Sequence, residues 1–198
     1  MEMTGEQLIP ASQQDTWQAL NDPDILAACV PGCESITRLN DNEYQVHMTA
    51  KVGPVSAKFR GRLSLFDIKA PNSYSLAFEG QGGAAGFAKG AAQVKLSPEG
   101  AKQTRLHYDV KANVGGKLAQ IGSRLVDAAA KKVADEFFQN FTRKMSAGED
   151  TTVILQTPGK QDGAAPDPVL PSVSNTTLIF FAAGALVVFI VALVALFG

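Results

Sequence analysis

The side chains in this 198-residue chain that could carry acid–base, nucleophilic, metal or phosphate chemistry are few, and their spacing excludes most of it. Cys29-Val30-Pro31-Gly32-Cys33 has CxxxC spacing, which fits neither the CxxC redox motif nor a zinc knuckle. With two cysteines and two histidines in all, a structural zinc site lacks ligands, so the expectation is two buried or half-buried thiols in a reducing compartment. His47 and His107 fall on outward strand positions with no ligand at metal-site spacing beside either, and no metal is expected. Gly80-Gln81-Gly82-Gly83-Ala84-Ala85 matches the permissive dinucleotide pattern, but no helix opens there and no parallel βαβ unit surrounds it. Gly86-Phe87-Ala88-Lys89-Gly90 lacks the Lys-Ser/Thr ending of a phosphate-binding loop. No serine, cysteine or paired carboxylate has an identifiable base on a matching inner face; the inward positions offer only Tyr44 and Tyr108 as acids. The chain is therefore read as a non-enzyme.

One charged pattern stands out. Lys58, Arg60 and Arg62 are two apart, so all point to the outer face of a strand, with Lys51 nearby and no acid between Glu43 and Asp67. A solvated sheet face and a docking stripe for anionic lipid headgroups or an acidic partner both fit this spacing.

These residues need a scaffold, and composition bounds it: 45% hydrophobic and 19% charged residues describe a globular chain. A net charge of −1 argues against a nucleic-acid binder that works by neutralising phosphates. The charge is uneven, −7 over residues 1 to 43 and +7 over residues 44 to 150. Glu2 to Pro10 alternates mildly. Ser12 with Asp15 three residues later marks a helix start, and Asn21-Asp22-Pro23 breaks that helix before a second short one from Asp24 to Cys29. Period-two segments then run from Glu34 to Leu39, Tyr44 to Val52, Val55 to Phe66, Ser73 to Gly82, Phe87 to Leu96 and Thr104 to Val114, joined by hairpin turns. Gly115-Gly116 opens a helix of nearly thirty residues with Leu118, Ile121, Leu125, Ala129, Val133, Phe137 and Phe141 on one stripe. The fold class is thus α+β: a curved antiparallel sheet of about seven strands wrapped on a long C-terminal helix, spanning residues 1–145.

Alternation assigns the faces. Bulky inward residues include Phe59 and Phe78, and among them lie the small residues Gly61, Gly80, Ala88, Gly90 and Ala92, facing Gly122 on the helix. Interiors pack to crystal-like density, so missing side chains imply either close backbone approach or a guest molecule. The expected lining is Phe59, Gly61, Phe78, Ala92, Leu118, Ile121, Gly122 and Leu125, with Phe87 and Val30-Pro31 near a mouth.

Residues 146–177 contain Pro158, Pro166, Pro168 and Pro171 among small polar residues and read as a flexible tether, with a reach on the order of 30 Å. Residues 178–197 are twenty in succession without a charged or polar side chain. A helix of that length is roughly 30 Å long and spans a bilayer core, so a tail anchor is expected. The acidic start Met1-Glu2-Met3-Thr4-Gly5-Glu6 lacks a signal peptide's apolar region, so the domain is expected on the cytoplasmic side of the cytoplasmic membrane.

Several segments, in order, resemble one family: Asn21-Asp22-Pro23, Ala27-Ala28-Cys29-Val30-Pro31-Gly32-Cys33-Glu34-Ser35, Gly53-Pro54-Val55, Gly82 to Gly90 and Val114 to Leu125. They look like the carbon monoxide dehydrogenase G-subunit family, within the START-like and polyketide-cyclase-like helix-grip superfamily. The resemblance implies a helix-grip fold that holds apolar ligands between sheet and helix. It also implies an accessory role: recruiting a molybdenum hydroxylase of the carbon monoxide dehydrogenase type to the cytoplasmic membrane and carrying a lipophilic quinone, with no covalent cofactor. Confinement by the tether would give an effective concentration of order mM between carrier and enzyme. A recruitment or maturation factor with a filled core is the alternative, and a cyclase or hydrolase on the same fold would need an acid or base inside.

Overall fold

The computed structural model describes residues 1–52 and 55–147. A seven-stranded antiparallel sheet forms the body, with β1 Glu2–Ile9, β2 Cys33–Asn40, β3 Glu43–Val52, β4 Val55–Lys69, β5 Ser73–Gln81, β6 Phe87–Pro98 and β7 Thr104–Gly115. The order across the sheet is β1-β7-β6-β5-β4-β3-β2. Every strand from β2 to β7 pairs with its neighbour in sequence, which is the outcome the hairpin turns dictate. β1 adds to β7 in the register Gly5↔Tyr108, so the first strand and the last meet at one sheet edge. A register shift between Phe66 and Lys69, with Asp67 at φ +52°, bends β4 where it turns toward β5.

Two short helices close one end. In α1 (Gln13–Leu20) the Ser12 hydroxyl oxygen accepts from the Asp15 backbone N–H, and the hydroxyl donates back to the Asp15 carboxylate. In α2 (Pro23–Cys29) the Asp22 carboxylate accepts from the N–H groups of Asp24 and Ile25, and Pro23 sits in the first turn, where its missing N–H costs nothing. Trp17, Leu20 and Leu26 thereby point into the core.

The C-terminal helical segment departs from the expected single helix. It consists of α3 (Lys117–Gln120) and α4 (Ser123–Ala147), separated by Gly122 at φ +94°. The buried residues of α4 are Val126, Ala130, Val133, Ala134, Phe137, Phe138 and Phe141, whereas Leu125 is 51% exposed. The expected stripe fails at Leu125 for a geometric reason. A row spaced by four winds about 40° per step, so Leu125 ends about 160° around the helix from Phe141. Val126 takes the inward position instead.

The core lies between the concave sheet face and α4. Phe137 stacks on Phe141 with centroids 5.6 Å apart and meets Phe138 edge to face, and Phe138 stacks on Tyr108 of β7 at 5.5 Å. α4 also packs on α2, where Asn140 donates to the Cys29 carbonyl at 3.1 Å. Among the described residues no helix is long and apolar enough to cross a membrane; the expected tether and anchor, residues 146–177 and 178–197, lie outside them except for Ser146 and Ala147.

Candidate ligand-binding site

Sheet register sets the floor of the grip row by row. Tyr44 faces Leu63, Leu63 faces Phe78, and Phe78 faces Gly90 across β3, β4, β5 and β6. The next row runs Val46, Gly61, Gly80, Ala88, so two adjacent strands cross it with no side chain at all. Ala92 and Leu76 lie opposite one another on the other side. Phe59, Phe78, Ala92 and Leu118 are buried, as expected of inner-face positions, and so is Gly61.

Part of the room left by small residues is taken by aromatic rings. A methyl at Gly82 would stand 1.8 Å from Phe59 Cε1, and one at Gly90 would stand 2.6 Å from Phe78 Cζ. The glycines therefore seat rings, the close-approach reading of their smallness. Nothing within 4 Å would meet a methyl at Gly122, and that residue is exposed. Gly122 thus serves as a joint between α3 and α4, which corrects its expected place in the lining. Leu125 is likewise on the surface, Ile121 is half-buried against the core, and Val30 is buried within it, 5% exposed. Pro31 is half-buried, and Phe87 stands at the rim, 46% exposed.

No charged side chain among the described residues is buried. Among the described residues the buried polar side chains outside the tyrosines are Thr16, Ser75 and Thr104, and Thr104 donates to the Ala11 carbonyl at 2.9 Å. Three buried side-chain oxygens among the described residues have no partner: the hydroxyls of Thr16, Tyr44 and Tyr74. The two tyrosines are at most 1% exposed. Burial pushes the Tyr44 phenol up to about 12 and the Tyr74 phenol well above its ordinary value. Each is therefore a neutral O–H donor, and an unmade hydrogen bond at a buried site costs about 1–3 kcal/mol. Tyr74 was not among the expected inward residues, although it shares the parity of Leu76 and Phe78 on β5. The alternation could have found it.

The outer face carries the basic stripe, with one member neutralised. Lys58 Nζ lies 3.1 Å from Glu34 on β2, and Thr49 donates to the same carboxylate at 2.7 Å. These contacts, the Thr49 bond first, hold Glu34 below the usual carboxylate range. Lys51, Arg60 and Arg62 are exposed and form no ion pair among the described residues. Both cysteines are free, Cys29 buried and Cys33 half-buried, and desolvation raises both thiols, Cys33 to about 11. No described group of His, Cys, Asp and Glu is arranged to hold a metal ion. A groove of about 360 Å³ lies outside the grip, between the β1 edge and α4; its walls include Tyr108, Asp127, Lys131 and Asp135.

The sequence matches the family model of the carbon monoxide dehydrogenase G subunit (CoxG) over residues 5–146. The chain belongs to the CoxG family. That match covers the whole grip, from β1 to the last turn of α4. Among solved structures, a conserved protein from Geobacillus kaustophilus is 29% identical, with a TM-score of 0.71 over 75% of this chain and 97% of that one. A START superfamily protein from Mycobacterium smegmatis, 12% identical, aligns at 0.56 over 74% of this chain and 97% of that one. An aromatase/cyclase from Streptomyces sp. R1128, 13% identical, aligns at 0.56 over 76% and 96%. The last two establish the START-like helix-grip fold alone. No curated protein gives a significant match. The family takes its name from a subunit of carbon monoxide dehydrogenase.

Proposed function

We propose that this CoxG protein is a membrane-anchored, non-catalytic accessory factor that carries a lipophilic quinone in its grip and brings it to a molybdenum hydroxylase of the carbon monoxide dehydrogenase type. The carrying observation is that the buried hydroxyls of Tyr44 and Tyr74, like that of Thr16, have no partner, in an interior where no described charged side chain is buried. A quinone supplies what this interior lacks: carbonyl oxygens to accept from neutral phenols, on a ring and isoprenoid that are otherwise apolar. Burial of that apolar surface at about 25 cal/mol per Å² drives uptake from water.

Uptake needs a way in between sheet and helix. α3 carries Leu118, fully buried, and lies between Gly116 at φ +81° and Gly122 at φ +94°. Rotation at these two joints lifts Leu118 away from the sheet without breaking α4. The apolar run of residues 178–197 would hold the protein to the cytoplasmic membrane, and the exposed Lys51, Arg60 and Arg62 would meet an acidic face of the enzyme.

Trp17, the chain's one tryptophan, provides the test, because it touches Tyr74 and quinones quench indole emission. Titrating the full chain in detergent with a short-chain ubiquinone is expected to give saturable quenching that Y74F weakens. Quenching that rises without saturation and ignores Y74F contradicts the carrier reading.

A second reading has its own observation. Because Phe59 and Phe78 already occupy the room beside Gly82 and Gly90, the domain also fits a purely structural recruitment or maturation factor with no ligand. It predicts that deleting residues 178–198 releases the enzyme from membranes while interior substitutions leave activity unchanged.

A further inference from the structure

The two edges of the sheet differ. β2 is interrupted by register shifts between Cys33 and Ser35 and between Arg38 and Asn40, the kind of irregularity that keeps an edge strand from pairing with another chain. β1 keeps an unbroken register with β7, from Glu2↔Lys111 to Ile9↔Thr104, and contains neither proline nor lysine. The Met1 ammonium donates to the Ala112 carbonyl at 3.0 Å and the Ala112 N–H donates to the Met1 carbonyl at 2.9 Å, so this pair exchanges both bonds. By antiparallel alternation Met3, Gly5, Gln7 and Ile9 then bond to β7, and the N–H and C=O of Glu2, Thr4, Glu6 and Leu8 point away from it. None of these eight backbone groups, two on each of four residues, has a hydrogen-bond partner among the described residues. The open edge borders the groove of about 360 Å³ whose far wall is the Asp127, Lys131 and Asp135 row of α4. Gly5 lies mid-strand, and a methyl there would run into the Tyr108 hydroxyl, so this position carries no side chain.

A row of free backbone groups takes another strand, and the side chains on β1 select which one. Its acids do not call for a basic partner: Glu2 is answered within the chain by Lys111 and Glu6 by Arg105, each at 3.3 Å, and on the α4 wall Lys131 lies 3.4 Å from Asp135. A second copy of β1, laid antiparallel about a two-fold axis, can set three or more of the free residues against one another in three registers. One places Glu2 opposite Glu6, and another places Glu6 opposite Glu6. Like charges directly opposite destabilise a sheet, which excludes both. The remaining register is centred on Gly5. Glu2 then faces Leu8, Thr4 faces Glu6 and Met3 faces Gln7, so no like charges meet. This register alone engages all eight free groups of each copy.

We infer that the protein forms a two-fold dimer through β1, in which two seven-stranded sheets join edge to edge at Gly5. Each dimer carries two copies of the apolar run of residues 178–197, so its hold on a bilayer is bivalent. The pairing does not depend on the quinone reading, because a ligand-free recruitment factor would dimerise the same way.

The test is disulfide trapping of the full chain in mild detergent, with C33S added because Cys33 is only half-buried. T4C and E6C chains carrying tags of different size are mixed in equal amounts and oxidised. Thr4 of one copy lies across from Glu6 of the other, with Cα atoms about 5.5 Å apart. Two copies of Thr4, or two of Glu6, are two residues out of step and about 8–9 Å apart, beyond the roughly 7 Å that a disulfide spans. The mixed T4C–E6C product is expected to exceed either like pair at least about fivefold. No cross-linked product, or mixed and like products in statistical proportion, overturns the proposal. Slow hydrogen exchange at the Thr4 and Glu6 amides without trapping gives the edge to a different strand, from a partner or from residues 151–157 of the same chain, and overturns it as well. Loss of quinone binding with the trapping intact removes the carrier reading alone.

Discussion

Trp17 meets Tyr74 edge to face, with ring centroids 5.6 Å apart and planes at 75°, and the contact leaves the Tyr74 hydroxyl buried with no partner. The ring packing is worth about 0.5–1.5 kcal/mol beyond its area, while the unpaired hydroxyl works against it. Y74F keeps the ring and removes the hydroxyl. It is expected to raise the stability of the ligand-free protein by about 1 kcal/mol and to lower quinone affinity. Denaturant unfolding without ligand and a quinone titration check the two halves; a fall in ligand-free stability would show that the hydroxyl has a partner.

Gly90 tests how firmly the floor is set. A methyl there would stand 2.2 Å from the Lys111 carbonyl oxygen as well as 2.6 Å from Phe78. The ring can turn, but the β7 backbone cannot, so G90A is expected to destabilise by about 1–3 kcal/mol. Thermal unfolding checks it.

Gly122 tests the joint. No atom lies within 4 Å of a methyl placed there, so the cost of G122A comes from the left-handed backbone alone, about 1–2 kcal/mol. On the carrier reading the variant also slows quinone uptake more than it changes equilibrium affinity, a split that stopped-flow Trp17 quenching resolves.

The β1–β7 edge supplies a pH-dependent contact. Thr4 donates to Asp109 Oδ1 at 2.6 Å and His107 Nε2 lies 3.0 Å from Oδ2, and these contacts, Thr4 first, hold the carboxyl below its ordinary value. A carboxyl depressed in the folded state contributes stability above its unfolded value, near pH 4, and loses it as pH falls through the lower folded value. T4V is expected to move the Asp109 titration upward toward the ordinary range. Carbon-detected NMR of the side-chain carboxyl measures this, and an unmoved midpoint would assign the shift to other groups.

Most of the fold was legible because antiparallel sheets write themselves in local code. The turns at Asp41-Asn42, Pro71-Asn72 and Glu99-Gly100 fix which strands are neighbours, and alternation fixes their faces; Tyr44, Val46, Met48, Phe59, Leu63, Leu76 and Phe78 are all inside. The helix was legible in extent but not in phase. A four-residue apolar spacing looks like one face on paper and winds off it in space, which misplaced Leu125, and a left-handed glycine inside an apolar pattern gives no sign of splitting it. The site was legible by side and not by occupancy. Small residues announce missing volume, yet nothing local tells that Phe59 lies over Gly82 or Phe78 beside Gly90, because those contacts join different strands. The unpaired hydroxyls were invisible for the same reason, since being without a partner is a property of the whole interior.

Whether the grip holds a quinone is tested most directly by lipid extraction and mass spectrometry of the full chain, purified from its native membranes in mild detergent beside a Y44F/Y74F double variant. Near-stoichiometric quinone is expected on the natural sequence and clearly less on the double variant. Quinone absent from both, or present at the same trace level in both, would contradict the carrier reading.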